Sequence, residues 1–359
     1  MPQISRNSLA FDVNVSGYKF TVEGIYTQVI RDLKFQQINL KDKPSYYTYD
    51  TQQQQPIYLA SGGATNPNFS NAYLLSNTGQ GYRYSVTGQV SKSYDFGLNF
   101  MVAYTYGQSK DITNGIRNSM ESNYQLNQSL TPNDPKLANS NFDVRNRFVA
   151  NLGYQVNITK NNTLSANMYF NAQSGNPFTW GFVNSTLARS GQAAGLAFIP
   201  KDLQQANTFF VNNTTTGESA ASQAANFMSF VQDNEYLSSR KGNFTERNGD
   251  RTPWNIQADI RIQDEFRFKV GQNIHSIQLS LSIINVGNLI NKDWGKSYFV
   301  PNTFNSTASL GLVVKGTAPV GATNAGDPVF NFVRPTTTPY VVDQFASRFQ
   351  GQLGLRYSF

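Results

Sequence analysis

Residues 277–283 read Ile-Gln-Leu-Ser-Leu-Ser-Ile, with apolar side chains at the odd positions and polar side chains at the even ones. Upstream, residues 254–263 repeat the pattern as Trp-Asn-Ile-Gln-Ala-Asp-Ile-Arg-Ile-Gln. Strict alternation is the two-residue period of a β-strand with one apolar face and one polar face. Both stretches are therefore predicted to be strands of a sheet whose two faces meet different surroundings.

Seven further segments share this alternation or a matching β-branched and aromatic content, which gives nine predicted strands and an all-β fold. No segment shows a convincing helical period. The strands are expected at about 9–15, 20–40, 82–90, 98–106, 148–156, 164–170, 254–262, 277–283 and 345–359.

The predicted connections alternate in length. Short ones fall near residues 16–17, 94–95, 159–161 and 269–272. Long ones, rich in Asn, Thr, Ser, Gly and Pro, cover about 41–80, 109–143, 185–251 and 288–342. Such long loops are uncommon in compact soluble domains and usually carry function. The sequence thus predicts hairpins with tight turns at one end and extended loops at the other.

The composition excludes several classes of protein. Of 359 residues only 14% are charged, with a net charge of +7, whereas Asn and Gln number 67 and aromatics reach 13%. The absence of Cys and the single His, His275, rule out disulfides, thiolate sites and His-rich metal sites. The mean hydropathy of −0.43 and the lack of a 20-residue apolar run argue against transmembrane helices. The dilute positive charge does not suggest a nucleic-acid partner.

These features together predict an antiparallel transmembrane β-barrel with long outer loops. Spanning strands need roughly 9–11 residues that alternate lipid-facing and lumen-facing side chains, and outer-membrane barrels have short periplasmic turns and long outer loops. A soluble β-sandwich also alternates, but its solvated face usually carries more charge and its loops are shorter. Because such barrels have an even strand number, nine strands suggest the C-terminal part of a larger barrel.

Five stretches carry a resemblance to a known family. They are Ala103-Tyr-Thr-Tyr-Gly-Gln-Ser-Lys-Asp111, Phe142-Asp-Val-Arg-Asn-Arg-Phe-Val-Ala-Asn151, Arg247-Asn-Gly-Asp-Arg-Thr-Pro-Trp254, Asn285-Val-Gly-Asn-Leu-Ile-Asn-Lys-Asp-Trp-Gly295 and the closing strand. In order, they resemble the C-terminal barrel portion of Oar-like TonB-dependent outer-membrane receptors, which have a carboxypeptidase-regulatory-like domain and are related to SusC-like transporters. In the closing strand, Leu353, Leu355, Tyr357 and Phe359 resemble the signal read by the barrel assembly machinery.

The resemblance implies a 22-stranded barrel filled by a plug domain, with energy relayed by TonB. Residues 1–359 would then be the last nine strands, with the plug domain and the first barrel half absent. The expected function is to form the wall and extracellular loops of a receptor in the bacterial outer membrane. Such a receptor takes up a ligand such as an oligosaccharide or peptide. The expected partners are outer-membrane lipid, the assembly machinery, the plug domain and TonB.

No constellation of residues predicts catalysis, a cofactor or a metal site, so an enzyme is not expected. The lumen-facing candidates are Arg83, Arg147, Asp259, Arg261, Arg348 and Arg356. The arginines could hold the acids of a plug or a substrate, or could pair with Asp12, Glu23 and Asp259. The ligand-stacking candidates are Tyr46, Tyr47, Trp180 and Trp294, for which an outer aromatic girdle is the alternative.

Two other functions remain open from the sequence. The chain could be a stand-alone small outer-membrane barrel that acts as a porin or adhesin, which requires an even strand number. It could also be a secreted glycan-binding β-protein, which would be soluble without detergent.

Overall fold

A computed structural model describes residues 1–41, 43–50, 52–58, 64–113, 118–183, 187, 191–301 and 306–359. Nine long strands form one antiparallel sheet, in which strands consecutive in this series pair with each other. They are β1 (Gln3–Val15), β2 (Tyr18–Gln37), β3 (Tyr82–Ser93), β4 (Leu98–Asp111), β5 (Asn146–Thr159), β6 (Asn162–Gln173), β7 (Asn255–Val270), β8 (Asn273–Ile284) and β9 (Gln350–Ser358). The predicted nine strands and all-β class are confirmed.

The sheet is open in the described part of the chain. β1 lies at one end of the strand order and β9 at the other, with no pairing between them. Each edge strand therefore presents one row of backbone groups without a strand partner.

Tight turns connect the strands at one end of the sheet, as the sequence predicts. In the β1–β2 hairpin, Ser16 and Gly17 both have positive φ, at 52° and 78°. Positive φ at both central residues is the mark of a type I′ turn, whose twist matches that of the flanking strands. The four long connections all leave the other end, and we call residues 38–81, 112–145, 174–254 and 285–349 together the loop cap.

The register brings the alternating residues of all nine strands into phase. Phe20 of β2 lies opposite both Val13 and Val90, and Leu281 of β8 lies opposite both Ile262 and Leu353. One face of the sheet is therefore apolar from edge to edge. No described element covers it: Val22, near the middle of β2, is 55% exposed.

The loop cap contains short strands and helices. The strands are Ser45–Thr48, Gln54–Ile57, Tyr73–Thr78, Ala138–Asn139, Pro177–Phe182, Gly195–Leu196, Phe198–Ile199, Asn243–Phe244, Asp250–Arg251, Tyr298–Phe299, Thr307–Ser309, Leu312–Thr317, Pro328–Phe332 and Val341–Val342. The helices are α1 (Met120–Gln125), α2 (Leu203–Ala206), α3 (Ala220–Gln232), α4 (Glu235–Ser239), α5 (Val286–Ile290) and α6 (Gln344–Ser347). Among the described residues, no helix combines the length and hydropathy that a membrane crossing requires.

The sequence shows no helical period, and the resulting prediction of a chain without helices is wrong for the cap. The 13-residue helix α3 buries Ala224, Phe227 and Val231, whose spacing is that of one helical face. Its N-cap Ser219 accepts a hydrogen bond from the backbone N–H of Ser222. The last strand also begins later than predicted, at Gln350, because residues 344–347 form α6 after the capping Asp343.

The buried hydrophobic core of the chain lies in the cap, away from the wide sheet. Its aromatic members come mainly from the third and fourth long connections: Phe178, Trp180, Phe182, Phe198, Phe209, Phe210, Phe227, Phe244, Phe330 and Phe332. Phe227 of α3 lies at ring-centroid distances of 5.6 Å from Phe210 and 5.2 Å from Phe332. These loops therefore fold into a packed unit of their own.

Replacing Phe227 with Ala should destabilise the cap by about 3–5 kcal/mol, because a fully buried ring leaves a cavity. Unfolding in guanidinium is followed by the fluorescence of Trp180, in a background where Trp254 and Trp294 are Phe. Ser229→Ala, on the exposed side of the same helix, is the matched control and should change stability by less than about 0.5 kcal/mol. Similar effects of the two substitutions would contradict the packing described.

Candidate functional site

A buried carboxylate holds the seam between the cap and the sheet. Asp143 has no exposed side-chain surface, and its Oδ2 lies 3.0 Å from Nη2 of Arg145. The same carboxylate forms an ion pair with Arg251, and its Oδ1 accepts a hydrogen bond from the backbone N–H of Ser109, at 2.5 Å. A single acid thus ties together the end of β4, the strand entrance before β5 and the cap segment that leads into β7.

Arg251 extends this connection to the backbone. Its guanidinium donates to the carbonyl oxygens of Asp143, at 2.8 Å, and Gly175, at 3.2 Å. Burial lowers the pKa of Arg251, and the adjacent Asp143 carboxylate acts in the opposite direction. Because removing one partner leaves a buried charge uncompensated, the pair is costly to break.

Two more contacts join the same seam. Arg247 is almost fully buried, and its Nη2 lies 2.6 Å from Oδ1 of Asp111 at the end of β4. Three residues later in the chain, Asp250 accepts a hydrogen bond from the indole N–H of Trp180, at 2.7 Å. The motifs around Asp143 and Arg247 that suggested a family by sequence therefore anchor the loops to the sheet. Sequence reasoning did not assign them that role.

The fourth long connection is fixed at its start by Asn285. This residue has a left-handed backbone, with a φ of 55°, and its N–H donates to Oδ1 of Asp259 at 2.8 Å. Its side-chain amide donates to the carbonyl oxygens of Gly295 and Ser347. Gly295 itself has a φ of +65°, and a Cβ there would lie 1.9 Å from Oδ1 of Asn285. Only glycine fits at this position.

The predicted lumen-facing residues lie on or beside the polar face. Arg83 donates to Ser109 at 3.4 Å and Arg147 donates to Asn171 at 2.9 Å. Asp259 holds Asn285, as described. Arg261 lies opposite Ser282 and Asn167, and Arg356 lies opposite Gln278. These five residues therefore share the polar face of the sheet.

The sixth candidate, Arg348, lies outside the strands. It follows α6 directly, and its guanidinium lies 4.4 Å from the ring centroid of Phe345. Among the ion pairs of the described residues, none joins the candidate arginines to Asp12, Glu23 or Asp259, and Asp12 instead faces Lys19 at 3.6 Å.

The ligand-stacking candidates separate into two groups. Trp180 is only 3% exposed and belongs to the cap core, so it neither stacks on a ligand nor lies in a girdle. Tyr47 is half-buried and packs against that core. Tyr46 and Trp294 are exposed. Two of the four aromatic side chains are thus available to an external surface.

A cleft of about 280 Å³ within the cap is the candidate ligand site. Its lining brings amides and hydroxyls from three long connections together with three cationic side chains. The polar members are Gln53, Gln128, Ser129, Thr131, Lys136, Arg240, Asn243, Thr245, Glu246 and Arg247. Arg240 is engaged with Glu246 at 3.1 Å, whereas Lys136 forms no ion pair with the described residues. Leu130, Leu196 and Phe244 complete the lining, so the cleft is suited to a ligand that has both hydrogen-bonding groups and apolar surface.

Within the described residues, no group of three or more acidic or histidine side chains is placed to hold a metal ion. No known family model matches the chain. No curated protein matches it either.

Replacing Asp143 with Asn should destabilise the seam by about 3–5 kcal/mol, because Arg145 and Arg251 lose their shared counter-charge. The unfolding free energy is measured in urea by Trp180 fluorescence. Asp134→Asn is the matched control: this carboxylate is 80% exposed and meets Lys34 at 3.0 Å, so its loss should cost about 0–1 kcal/mol.

The additional change Arg251→Met should restore part of the loss caused by Asp143→Asn, because it removes one of the two unpaired charges. Additive losses in the double variant would count against a shared buried ion pair.

Proposed function

We propose that this chain forms part of the wall and the outer loops of an outer-membrane β-barrel receptor. The observation that supports this is an apolar face across all nine strands, which no described element covers, opposite a polar face and with the four long connections at one end. Exposure of that face to water is unfavourable, because burial of each large apolar side chain contributes about 1.5–3 kcal/mol to stability. Lipid acyl chains would cover the apolar face without a further layer of protein.

Aromatic side chains at both ends of the apolar face support the proposal. At the turn end, Nδ1 of His275 lies 2.6 Å from the hydroxyl oxygen of Tyr357. The imidazole ring of His275 stacks on the ring of Phe268. At the loop end lie aromatic residues of six strands or strand entrances: Tyr26, Tyr84, Tyr106, Phe148, Phe170 and Trp254. Along β2, Tyr18 and Tyr26 are separated by about 26 Å at 3.3 Å per residue. For a strand tilted by about 40° this is about 20 Å along the membrane normal, so the two rings lie at different levels of the apolar face, as two aromatic girdles would.

The open edges favour a part of a larger barrel over a complete one. Unpaired backbone groups in lipid each cost several kcal/mol, so β1 and β9 need strand partners there. Strands of the same protein would supply them and would enclose the polar face as a lumen. With the resemblance to Oar-like TonB-dependent receptors, this supports a wide barrel whose plug and TonB coupling belong to other parts of the protein.

The loop cap is the proposed capture element. The hydrogen-bonding groups of its cleft, the apolar residues beside them and Lys136 favour a ligand with both polar groups and apolar faces, such as an oligosaccharide or a peptide. The seam residues hold the cap in place during capture, while the polar face below offers Arg83, Arg147, Arg261 and Arg356 to a plug or a passing ligand. The function is non-catalytic uptake.

Placing an arginine on the apolar face should destabilise the chain in vesicles. Val22→Arg, midway between Tyr18 and Tyr26, should cost about 2–4 kcal/mol in a bilayer. Gln89→Arg is the matched control, at the same level of the neighbouring strand but on the polar face, and should be tolerated. Urea titration of the folded fraction in vesicles measures both. Equal tolerance of the two arginines would contradict burial of this face in lipid.

The chain alone should not behave as a closed barrel. With two unpaired edges it should unfold in sodium dodecyl sulfate without heating, so that unheated and boiled samples migrate together in a gel. A compact, faster-migrating monomer in the unheated sample would indicate a closed ring. That result would favour a stand-alone porin or adhesin.

A further inference from the structure

A pocket of about 540 Å³ opens on the apolar face at the loop end of β6 and β7. Its lining is mainly aromatic and aliphatic. The principal contributors are Phe170, Trp254, Ile256, Ile290, Trp294 and Tyr298. Phe170, Trp254 and Ile256 continue the apolar face of the sheet, whereas the other three come from the cap segment that follows β8.

The cap segment is held firmly against the sheet at this point. Asn285, fixed to Asp259 and Gly295, starts α5, and the side-chain amide of Asn288 donates to the carbonyl oxygens of Lys292 and Trp294. These contacts turn Ile290 and Trp294 towards the apolar face while leaving them 70% and 56% exposed. The pocket is thus formed by ordered elements and presents large apolar side chains to its surroundings.

Positive charge lies beside the pocket. Lys296 contributes to the lining and its Nζ meets Oδ1 of Asp293 at 2.7 Å, while Lys292 is exposed and forms no ion pair with the described residues. The three side chains leave a local excess of one positive charge. An apolar pocket with lysines at its border matches an amphiphile with an apolar chain and an anionic head.

We propose that this pocket binds an acyl chain of a membrane lipid whose phosphate head group lies at Lys292 and Lys296. The inference rests on the proposed membrane location. It goes beyond that location because it assigns a selective lipid site to one place on the barrel surface. The continuity of the pocket with the apolar face favours lipid over a soluble ligand, and the surplus lysine charge favours an anionic lipid over a zwitterionic one.

Quenching of tryptophan fluorescence by brominated acyl chains tests the site directly. The chain has three tryptophans: Trp254 and Trp294 line the pocket, whereas Trp180 is buried in the cap core. In vesicles of zwitterionic lipid, a small fraction of brominated phosphatidylglycerol should quench the wild-type chain. Brominated phosphatidylcholine should need an about fivefold higher fraction for equal quenching, which is the effect of one lysine charge near a membrane surface.

Variants assign the quenching to the pocket. Trp254→Phe with Trp294→Phe should remove most of it, because only the buried Trp180 is left. Lys292→Gln with Lys296→Gln should abolish the preference for phosphatidylglycerol and keep the quenching. The matched control Lys315→Gln, on an exposed cap strand away from the pocket, should leave the preference unchanged. Circular dichroism confirms that each variant retains its β-structure.

The outcomes separate this inference from the membrane proposal. Equal quenching by the two brominated lipids would overturn the selective site and leave the chain in the bilayer. Quenching preference that survives loss of both lysines would also overturn it. No quenching by either lipid would overturn the membrane proposal itself.

Discussion

Strand register is the constraint on which the rest of the structure depends. A shift of one residue in any pairing would move an entire strand's apolar side chains to the polar face. Eight successive pairings keep the alternation in phase, so that Val13, Phe20 and Val90 fall in one row across three strands. The apolar face, the polar face and the common end of the long loops all follow from this agreement.

The protein buries apolar surface in two different ways. In the sheet, one residue in two is apolar and nothing in the described chain covers that face. In the cap, aromatic rings from distant loops pack against each other and against α3, as in a soluble domain. The seam around Asp143, Arg247 and Asp250 lies where these two regions meet. At this boundary the two regions are joined by ion pairs and hydrogen bonds, and not by packing of apolar side chains.

The sequence predicts the sheet well because period-two alternation is a local signal that each strand carries by itself. The Ser16-Gly17 turn is predicted because it lies between two such segments. The cap was harder, since its core depends on contacts between residues far apart, such as Phe210 with Phe332. The spacing of Ala224, Phe227 and Val231 is a helical signal, but the surrounding segment is rich in Asn, Ser, Thr and Gly and therefore resembles a loop. Trp180 was misassigned because a buried and a ligand-stacking tryptophan look the same in sequence. The arginines of the seam lie in motifs that are visible in the sequence. Those motifs do not show that Arg145 and Arg251 share the carboxylate of Asp143.

That sharing has a mechanical consequence. Arg145 and Arg251 belong to different long connections, yet both neutralise one buried carboxylate. If the connection that carries Arg251 moved away alone, Asp143 would keep Arg145 but lose its ion pair with Arg251, which raises the free energy of such a movement. The second and third long connections are therefore coupled at this seam, because a movement of either one alone breaks the ion pair between Asp143 and Arg251.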